Sequence, residues 1–172
     1  NGAPPVNAPT NVSLIPQGGD TNAANVLQSG DEYLSDLDQS GTTTLANVSQ
    51  DGTNLTSHVT QAGLYNGAQV TQAGSNNDST VNQASTILSG AVVNQSGSGN
   101  SSMIDQGFIG GHQANVEQSG SDNESQVTQG GLLNSTGEYF DETASGVKQD
   151  GAHGSSSINQ TGGFQTAYVE QL

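Results

Sequence analysis

Short stretches of alternating polar and apolar residues recur along the chain, and each ends on an aliphatic residue, a variable residue and a glutamine. In the segment 22–28, Asn22, Ala24, Val26 and Gln28 lie on one face. Alternation with a period of two is the signature of a β-strand. The glutamines recur about every 11 residues, and a fixed period of this kind predicts a solenoid. They are Gln17, Gln28, Gln39, Gln50, Gln61, Gln72, Gln83, Gln95, Gln106, Gln118, Gln129, Gln149, Gln160 and Gln171.

A glycine stands two residues after most of these glutamines, as at Gly19, Gly30 and Gly52. Glycine adopts the left-handed backbone angles that tight turns need. Each unit is therefore predicted to be a strand of about seven residues followed by a turn of about four.

Two classes of strand alternate, because the residue four positions before glutamine is mostly serine in odd-numbered units and alanine in even-numbered ones. The true period is then about 22 residues, with two strands per coil. This predicts an all-β fold, a two-sheet parallel β-solenoid of about 7.5 coils with cross-β stacking into an amyloid fibre. The first sheet is predicted to hold Gln17, Gln39, Gln61, Gln83, Gln106, Gln129, Gln149 and Gln171, which leaves the last coil half complete.

Inward-facing amides are predicted to hydrogen-bond to the equivalent residue one coil above and below, because a buried amide is costly unless it is paired. Such ladders also fix the strand register, since a slip by one residue would turn every glutamine outward. The predicted ladder comprises Asn22, Gln28, Gln39, Gln50, Gln61, Asn66, Gln72, Gln83, Gln95, Gln106, Gln118, Gln129, Gln149 and Gln160.

Two stretches depart from the repeat. Residues 1–10 contain Pro4, Pro5 and Pro9 and are predicted to be a flexible tail, so that residues 11–172 form one solenoid domain. Residues 130–143 lack the repeat and would place Glu138 in the core. A bulge, a local register shift or a looped-out segment is predicted there.

Composition narrows the range of functions. The 172 residues carry a formal net charge of −15, and Lys148 is the only lysine or arginine. This removes the electrostatic basis for binding nucleic acid or an anionic membrane surface, and no apolar run approaches the length of a membrane span. No nucleophile motif and no set of metal ligands is present, so neither catalysis nor a cofactor or metal is expected.

The segments 17–28 and 61–72 both fit the motif Q-x-G-x-x-N-x-A-x-V-x-Q. With its period, this motif resembles the curlin repeat of curli, the extracellular functional amyloid of bacterial biofilms, over residues 11–172. The scarcity of basic residues is similar to the major, fibre-forming subunit. The resemblance implies an extracellular subunit for biofilm matrix and adhesion, secreted through an outer-membrane pore with periplasmic chaperones and nucleated by a minor subunit. The chain departs from the family pattern six residues before glutamine, at Tyr33, Leu55, His112 and Gln165.

Neither end of the repeat shows a capping segment, and open strand edges template further strands. Identical units that stack head to tail form a filament, because the contact does not close. A half-complete last coil would let the next subunit dock turned by half a revolution. A monomeric extracellular adhesin or ligand-binding solenoid is the alternative. The predicted polymerisation ends are Asn11, Ser13, Ile15, Gln17, Gln165, Ala167, Val169 and Gln171.

Overall fold

The computed structural model describes residues 11–107, 111–130, 135–136, 146–161 and 166–172. These residues form strands joined by turns, and no helix occurs among them. In chain order the strands are β1 (Val12–Leu14), β2 (Ala23–Asp31), β3 (Leu34–Gln39), β4 (Leu45–Thr53), β5 (Thr56–Leu64), β6 (Gly67–Ser75), β7 (Asp78–Ile87), β8 (Gly90–Ser98), β9 (Ser101–Gly107), β10 (Gln113–Ser121), β11 (Glu124–Gln129), β12 (Ser135–Thr136), β13 (Val147–Ala152), β14 (Ser155–Gln160), β15 (Thr166–Ala167) and β16 (Val169–Gln171).

The strands form two parallel sheets. Sheet A has the order β1-β3-β5-β7-β9-β11-β14, and sheet B begins with β2-β4-β6-β8-β10. Strands pair with the equivalent strand one coil later, as Val48 does with Val70 and Gln50 with Gln72, and the pairing of β5 with β7 shifts by one residue after Gln61. The predicted all-β, two-sheet parallel solenoid with two strands per coil is confirmed.

Several strands are longer, and the turns after them shorter, than predicted, whereas β3 and β11 span 6 residues each. β4, β5 and β6 each span 9 residues, and only Asn54 and Leu55 separate β4 from β5. Pairing continues through the glycines because every coil follows the same backbone path. A Cβ on Gly52, whose φ is +145°, would lie 1.8 Å from the carbonyl oxygen of Gly74. Glycine is therefore required where stacked turns approach most closely.

The core is a thin layer between the sheets, built from one aliphatic column of each. These residues form one packed cluster and are at most 5% exposed. Small residues flank them, serine on the sheet A side and alanine on the sheet B side. The aliphatic residues are Leu37, Val59, Val81, Ile104, Val127 and Ile158 of sheet A, and Val48, Val70, Val93, Val116 and Val147 of sheet B.

The irregular segment is an insertion within one rung, or strand position, of sheet B. Gln113 of β10 pairs with Ser135, whereas Val116 of the same strand pairs with Val147. The offset between paired residues grows by nine positions from the first pair to the second, so nine extra residues fall between the two halves of this rung, β12 and β13. An inserted segment, one of the three predicted alternatives, accounts for the pairing, because the strand is back in phase at Val147. The predicted core position of Glu138 lies outside the described residues.

The insertion overturns the predicted coil count. Gln149 and Gln171 lie in sheet B in line with Gln118, while Gln160 lies in sheet A next to Gln129. The prediction treated the inserted segment as a strand of its own, and this exchanged the two sheets for every later strand. Among the described residues, each sheet has seven rungs, which corresponds to about six full turns of the solenoid. The predicted half coil at the end is therefore wrong.

By the predicted count, Ser156 fell in the alanine column and Ala167 in the serine column. The corrected count removes both exceptions. Ser156 pairs with Ser125 and so belongs to the serine column of sheet A. Ala167 pairs with Thr136 in sheet B, the sheet of the alanine column. The predicted docking by half a revolution loses its basis, because neither sheet is a strand short.

Candidate assembly ends and amide ladders

The inward-facing glutamines form two continuous side-chain ladders, in which each Nε2 donates to the Oε1 of the next glutamine. In sheet A, at 2.7 to 3.0 Å, the ladder runs through Gln17, Gln39, Gln61, Gln83, Gln106, Gln129 and Gln160. In sheet B, at 2.6 to 2.9 Å, it runs through Gln28, Gln50, Gln72, Gln95, Gln118, Gln149 and Gln171. All the glutamines of the predicted ladder lie in these two ladders.

Most of these glutamines make a second hydrogen bond across the core. Gln61 donates to the backbone carbonyl of Leu45 at 3.1 Å, and Gln72 donates to that of Thr56 at 2.9 Å. A carbonyl can only accept, so this contact fixes which end of the amide is nitrogen. Every bond in both ladders therefore donates in the same direction, from the N-terminal end of the solenoid towards the C-terminal end.

The two ends of the ladders are consequently different chemical groups. Gln17 and Gln28 present Oε1 acceptors at the N-terminal end. Gln171 presents its Nε2 donor at the C-terminal end, where one N–H bonds to the carbonyl of Ser155 at 2.9 Å. The acceptor end of one copy thus complements the donor end of another.

The asparagines at the turns hydrogen-bond differently from the glutamines. Asn100 donates its Nδ2 to the carbonyl of Ser96, four residues earlier, at 2.9 Å. Its Oδ1 accepts from the backbone N–H of Asn123 in the next coil at 3.1 Å. One amide therefore closes its own turn and also tethers the following turn.

This geometry corrects the ladder predicted for Asn22 and Asn66. Both donate to a carbonyl four residues earlier, and both accept from a backbone N–H in the next coil, that of Thr44 at 3.1 Å or Ser89 at 3.3 Å. Their neighbours along the axis are not asparagines, so a ladder of identical amides does not form at these turns.

Three of the turn positions that depart from the family pattern hold larger side chains, and Tyr33, Leu55 and His112 are all buried. The Tyr33 hydroxyl donates to the carbonyl of Ser29, the contact that asparagine makes elsewhere, and accepts from the Gly52 N–H at 2.7 Å. Tyrosine therefore replaces asparagine at this turn. No sequence signal indicates this role, because it depends on how far the ring reaches.

The serine column of sheet A is buried without hydrogen bonds. Neighbouring rungs are about 4.8 Å apart, too far for one hydroxyl to bond to the next. The fit of these residues therefore comes from their small size. The Oγ atoms with no partner among the described residues are those of Ser35, Ser57, Ser79, Ser102, Ser125 and Ser156.

Core columns are partly exposed at both ends of the solenoid, in both sheets at the N-terminal end and in sheet B at the C-terminal end, where Ile158 of sheet A stays buried. Ile15 is 42% exposed, whereas Leu37, next in the same column, is 0% exposed. In sheet B, Val26 at one end and Ala167 and Val169 at the other are only partly buried against the core. Neither end carries a capping element among the described residues.

The predicted end residues lie in different sheets. Residues 11–17 lie at the edge of sheet A, and residues 166–171 lie at the edge of sheet B. Each end therefore also includes a strand that the sequence count missed, β2 at the N-terminal end and β14 at the C-terminal end. Gln165 lies outside the described residues. The end residues gained in this way are Ala24, Val26, Gln28, Ser156, Ile158 and Gln160.

Charged side chains lie on the outside of the solenoid. His58 lies 3.3 Å from Asp36, and Lys148 lies 3.6 Å from Glu170. Partial desolvation raises the pKa of the Asp78 carboxyl, and the Ser79 N–H and the His58 imidazole oppose this shift. Exposed pairs of this kind contribute little to stability, so the charges act mainly on how copies approach one another.

The described residues show no metal centre, since no three His, Cys, Asp or Glu side chains among them are grouped to hold an ion. The same residues include no helix with the length and hydropathy of a membrane span. Comparisons with family models, curated proteins and solved structures found no match. The geometry of the ends and the repeat motif are therefore the features that bear on function.

Proposed function

We propose that this chain is the structural subunit of an extracellular, curli-type functional amyloid fibre, which polymerises head to tail through its solenoid ends. The observation that carries the proposal is the exposure of core columns at both ends, with Ile15 42% exposed and Leu37 fully buried. A solenoid normally needs caps to stay soluble. Stacking a second copy would bury these columns as the interior buries them.

Because each sheet has seven rungs, the next copy would follow by translation without rotation. Its β1 would pair with β14 in sheet A, and its β2 would pair with β16 in sheet B. The Nε2 of Gln171 would then face the Oε1 of Gln28 in the next copy, which continues the ladder in its existing direction. The unpaired backbone groups of the edge strands would gain partners at the same contact.

Charge is scarce where the copies would meet. The segments 12–17, 23–28, 155–160 and 166–171 contain one carboxylate, Glu170, although the chain has a formal net charge of −15. Electrostatic repulsion between copies is therefore smallest at the proposed joint.

The cellular part of the proposal rests on the curlin resemblance. It comprises secretion through an outer-membrane pore with periplasmic chaperones, nucleation by a minor subunit, and a role in biofilm matrix and adhesion.

The decisive test compares Ile15→Lys with Met103→Lys. The two side chains are 42% and 44% exposed, so lysine at either position remains solvated in the monomer. In the fibre, position 15 would be enclosed between rungs, whereas position 103 stays on the outer face. Burying an unpaired ammonium costs several kcal/mol. We expect Ile15→Lys to abolish seeded elongation and Met103→Lys to elongate like the parent chain, measured by thioflavin T fluorescence and negative-stain microscopy.

Circular dichroism of the fresh monomers serves as the control for folding. Elongation of Ile15→Lys at the parental rate would contradict the proposed joint. Monodisperse particles of the parent chain after prolonged incubation would instead favour the monomeric binding module.

A further inference from the structure

One side of the solenoid carries a cluster of exposed apolar side chains where the chain turns from sheet A to sheet B. Leu64, Tyr65, Ile87 and Leu88 are 41%, 56%, 40% and 64% exposed. Leu64 and Ile87 are paired on adjacent rungs, and the Leu88 N–H donates to the Leu64 carbonyl at 3.0 Å. These four residues form one continuous patch, here called the apolar corner.

Two of the four residues occupy this patch against their conformational preference. Tyr65 and Leu88 have φ values of 57° and 63°, in the left-handed region that costs most residues about 1–2 kcal/mol. At the opposite corner, the equivalent sites include Asn54 and Asn76, with φ of 53° and 56°. Asparagine tolerates this conformation better, but Thr43 and Glu32 adopt it at other turns as well, so the backbone conformation itself does not select tyrosine and leucine.

Little of the charge of the molecule lies on this side, where Asp20 in the first turn is the one carboxylate among the described residues. Segments 40–44, 62–66 and 84–89, which form successive turns on this side, contain no charged residue. The outer face of sheet A and the turns from sheet B to sheet A are acidic. Their carboxylates are Asp31, Glu32, Asp36, Asp38, Asp51, Asp78, Asp105, Asp122, Glu124 and Asp150.

We infer that the apolar corner is the lateral contact between two filaments, and that its occupant is the same corner of a second copy. This arrangement buries the apolar patch and keeps the acidic faces of two strongly anionic filaments as far apart as possible. Placements that bring the sheet A faces or the turns from sheet B to sheet A together would bring these carboxylates closer to one another. The inference rests on the proposed function, because it requires filaments.

The patch is too small to hold two monomers together, but its repetition along a filament can hold two filaments together. Four partly exposed side chains fall well short of the roughly 1,000 Å² that a stable protein interface buries, so two monomers would not pair. In a filament, the patch recurs once per subunit, about every 34 Å for seven rungs. Many weak contacts between the same two rods then add together.

The test uses the double substitution Tyr65→Asn with Leu88→Asn. Both changes remove apolar surface and place a tolerated residue at a positive φ, so the monomer should fold at least as well as the parent. The matched control is Leu34→Asn with Met103→Asn, which removes two apolar side chains, 41% and 44% exposed, from the acidic sheet A. Filament width is measured by negative-stain microscopy, and sedimentation gives the pelleted fraction.

We expect the corner variant to form single filaments in at least nine of ten cases, while the parent and the control form mainly paired or bundled ones. Equal pairing in all three samples would overturn the lateral contact and leave the proposed function intact. Loss of pairing in the control as well would show a general hydrophobic effect and would also overturn the inference. A parent chain that forms no filaments would overturn the proposed function and the inference together.

Discussion

Two buried polar residues of β5 differ in whether their side chains are hydrogen-bonded. Gln61 and Ser57 are both completely buried. The Gln61 Nε2 makes two hydrogen bonds, to Gln83 at 2.8 Å and to the Leu45 carbonyl at 3.1 Å, whereas the Ser57 hydroxyl has no partner among the described residues. A paired buried amide stabilises the fold, but an unpaired hydroxyl carries only its desolvation cost.

Ser57→Ala should therefore raise the free energy of unfolding by ~1 kcal/mol, because it removes an unpaired buried hydroxyl at nearly constant volume. Gln61→Leu should lower it, since Gln39, Gln83 and the Leu45 carbonyl would each lose a partner. Urea unfolding of freshly purified monomer measures both changes. A loss of stability in Ser57→Ala would mean that the hydroxyl has a partner after all.

At the scale of strands, the rung formed by β12 and β13 shows that the ladder tolerates an interruption. Val147 resumes pairing in phase with Val116 although nine residues have been added since Ser135. Register is restored because Val147 and Gln149 re-enter the aliphatic and amide columns, and these columns reject a strand shifted by one residue.

Deletion of residues 137–145 should therefore join β12 directly to β13 and produce an uninterrupted rung. We expect the shortened chain to keep its β-sheet circular dichroism spectrum and to assemble as the parent does, because the deletion leaves every described strand pair in place and shortens the connection between the two halves of the rung, which changes only the entropy of closing it. The control deletes the nine residues of β8, Gly90–Ser98, and should abolish folding, since it removes a whole rung from sheet B. Equal failure of the two deletions would contradict the insertion.

The repeating part of the fold could be predicted well from the sequence, because each inward column repeats one residue type. The glutamine ladders follow from this repetition, but the role of Tyr33 does not, since it depends on the distance to a neighbouring carbonyl.

The last strands were misplaced in the prediction. The spacing between Gln129 and Gln149 is close to that of one coil, so the insertion resembled a degenerate repeat. The count is resolved by the strand pairing, in which Gln129 lies next to Gln160 and Gln118 next to Gln149.

At the scale of the whole molecule, the formal net charge of −15 opposes association of any two copies. Ten of the carboxylates lie on the sheet A side and its adjoining turns, so repulsion depends on orientation. Lower pH and added salt both weaken this repulsion.

Assembly should accordingly be faster at pH 4 than at pH 7, and faster in high salt, with a shorter thioflavin T lag. An unchanged lag between pH 7 and pH 4 would contradict this prediction.

Asp78 makes folding itself depend on pH. Its pKa is raised in the folded chain, so its ionised form costs stability at neutral pH, and this cost disappears as pH falls through the raised value. Asp78→Asn should therefore raise the free energy of unfolding at pH 7 more than Asp38→Asn, which removes the same charge, as measured by urea unfolding of the monomer. Equal stability of the two variants would contradict this expectation.

The whole number of coils has a mechanical consequence for the proposed fibre. Within a subunit, every rung is tied to the next by the peptide chain as well as by hydrogen bonds, as the chain runs from β4 through β5 of the other sheet to β6. At the joint, hydrogen bonds and side-chain contacts alone would carry tension. A stretched or sonicated fibre should therefore break between subunits, and its fragments should be whole multiples of one subunit height, each with the same pair of ends ready to grow again.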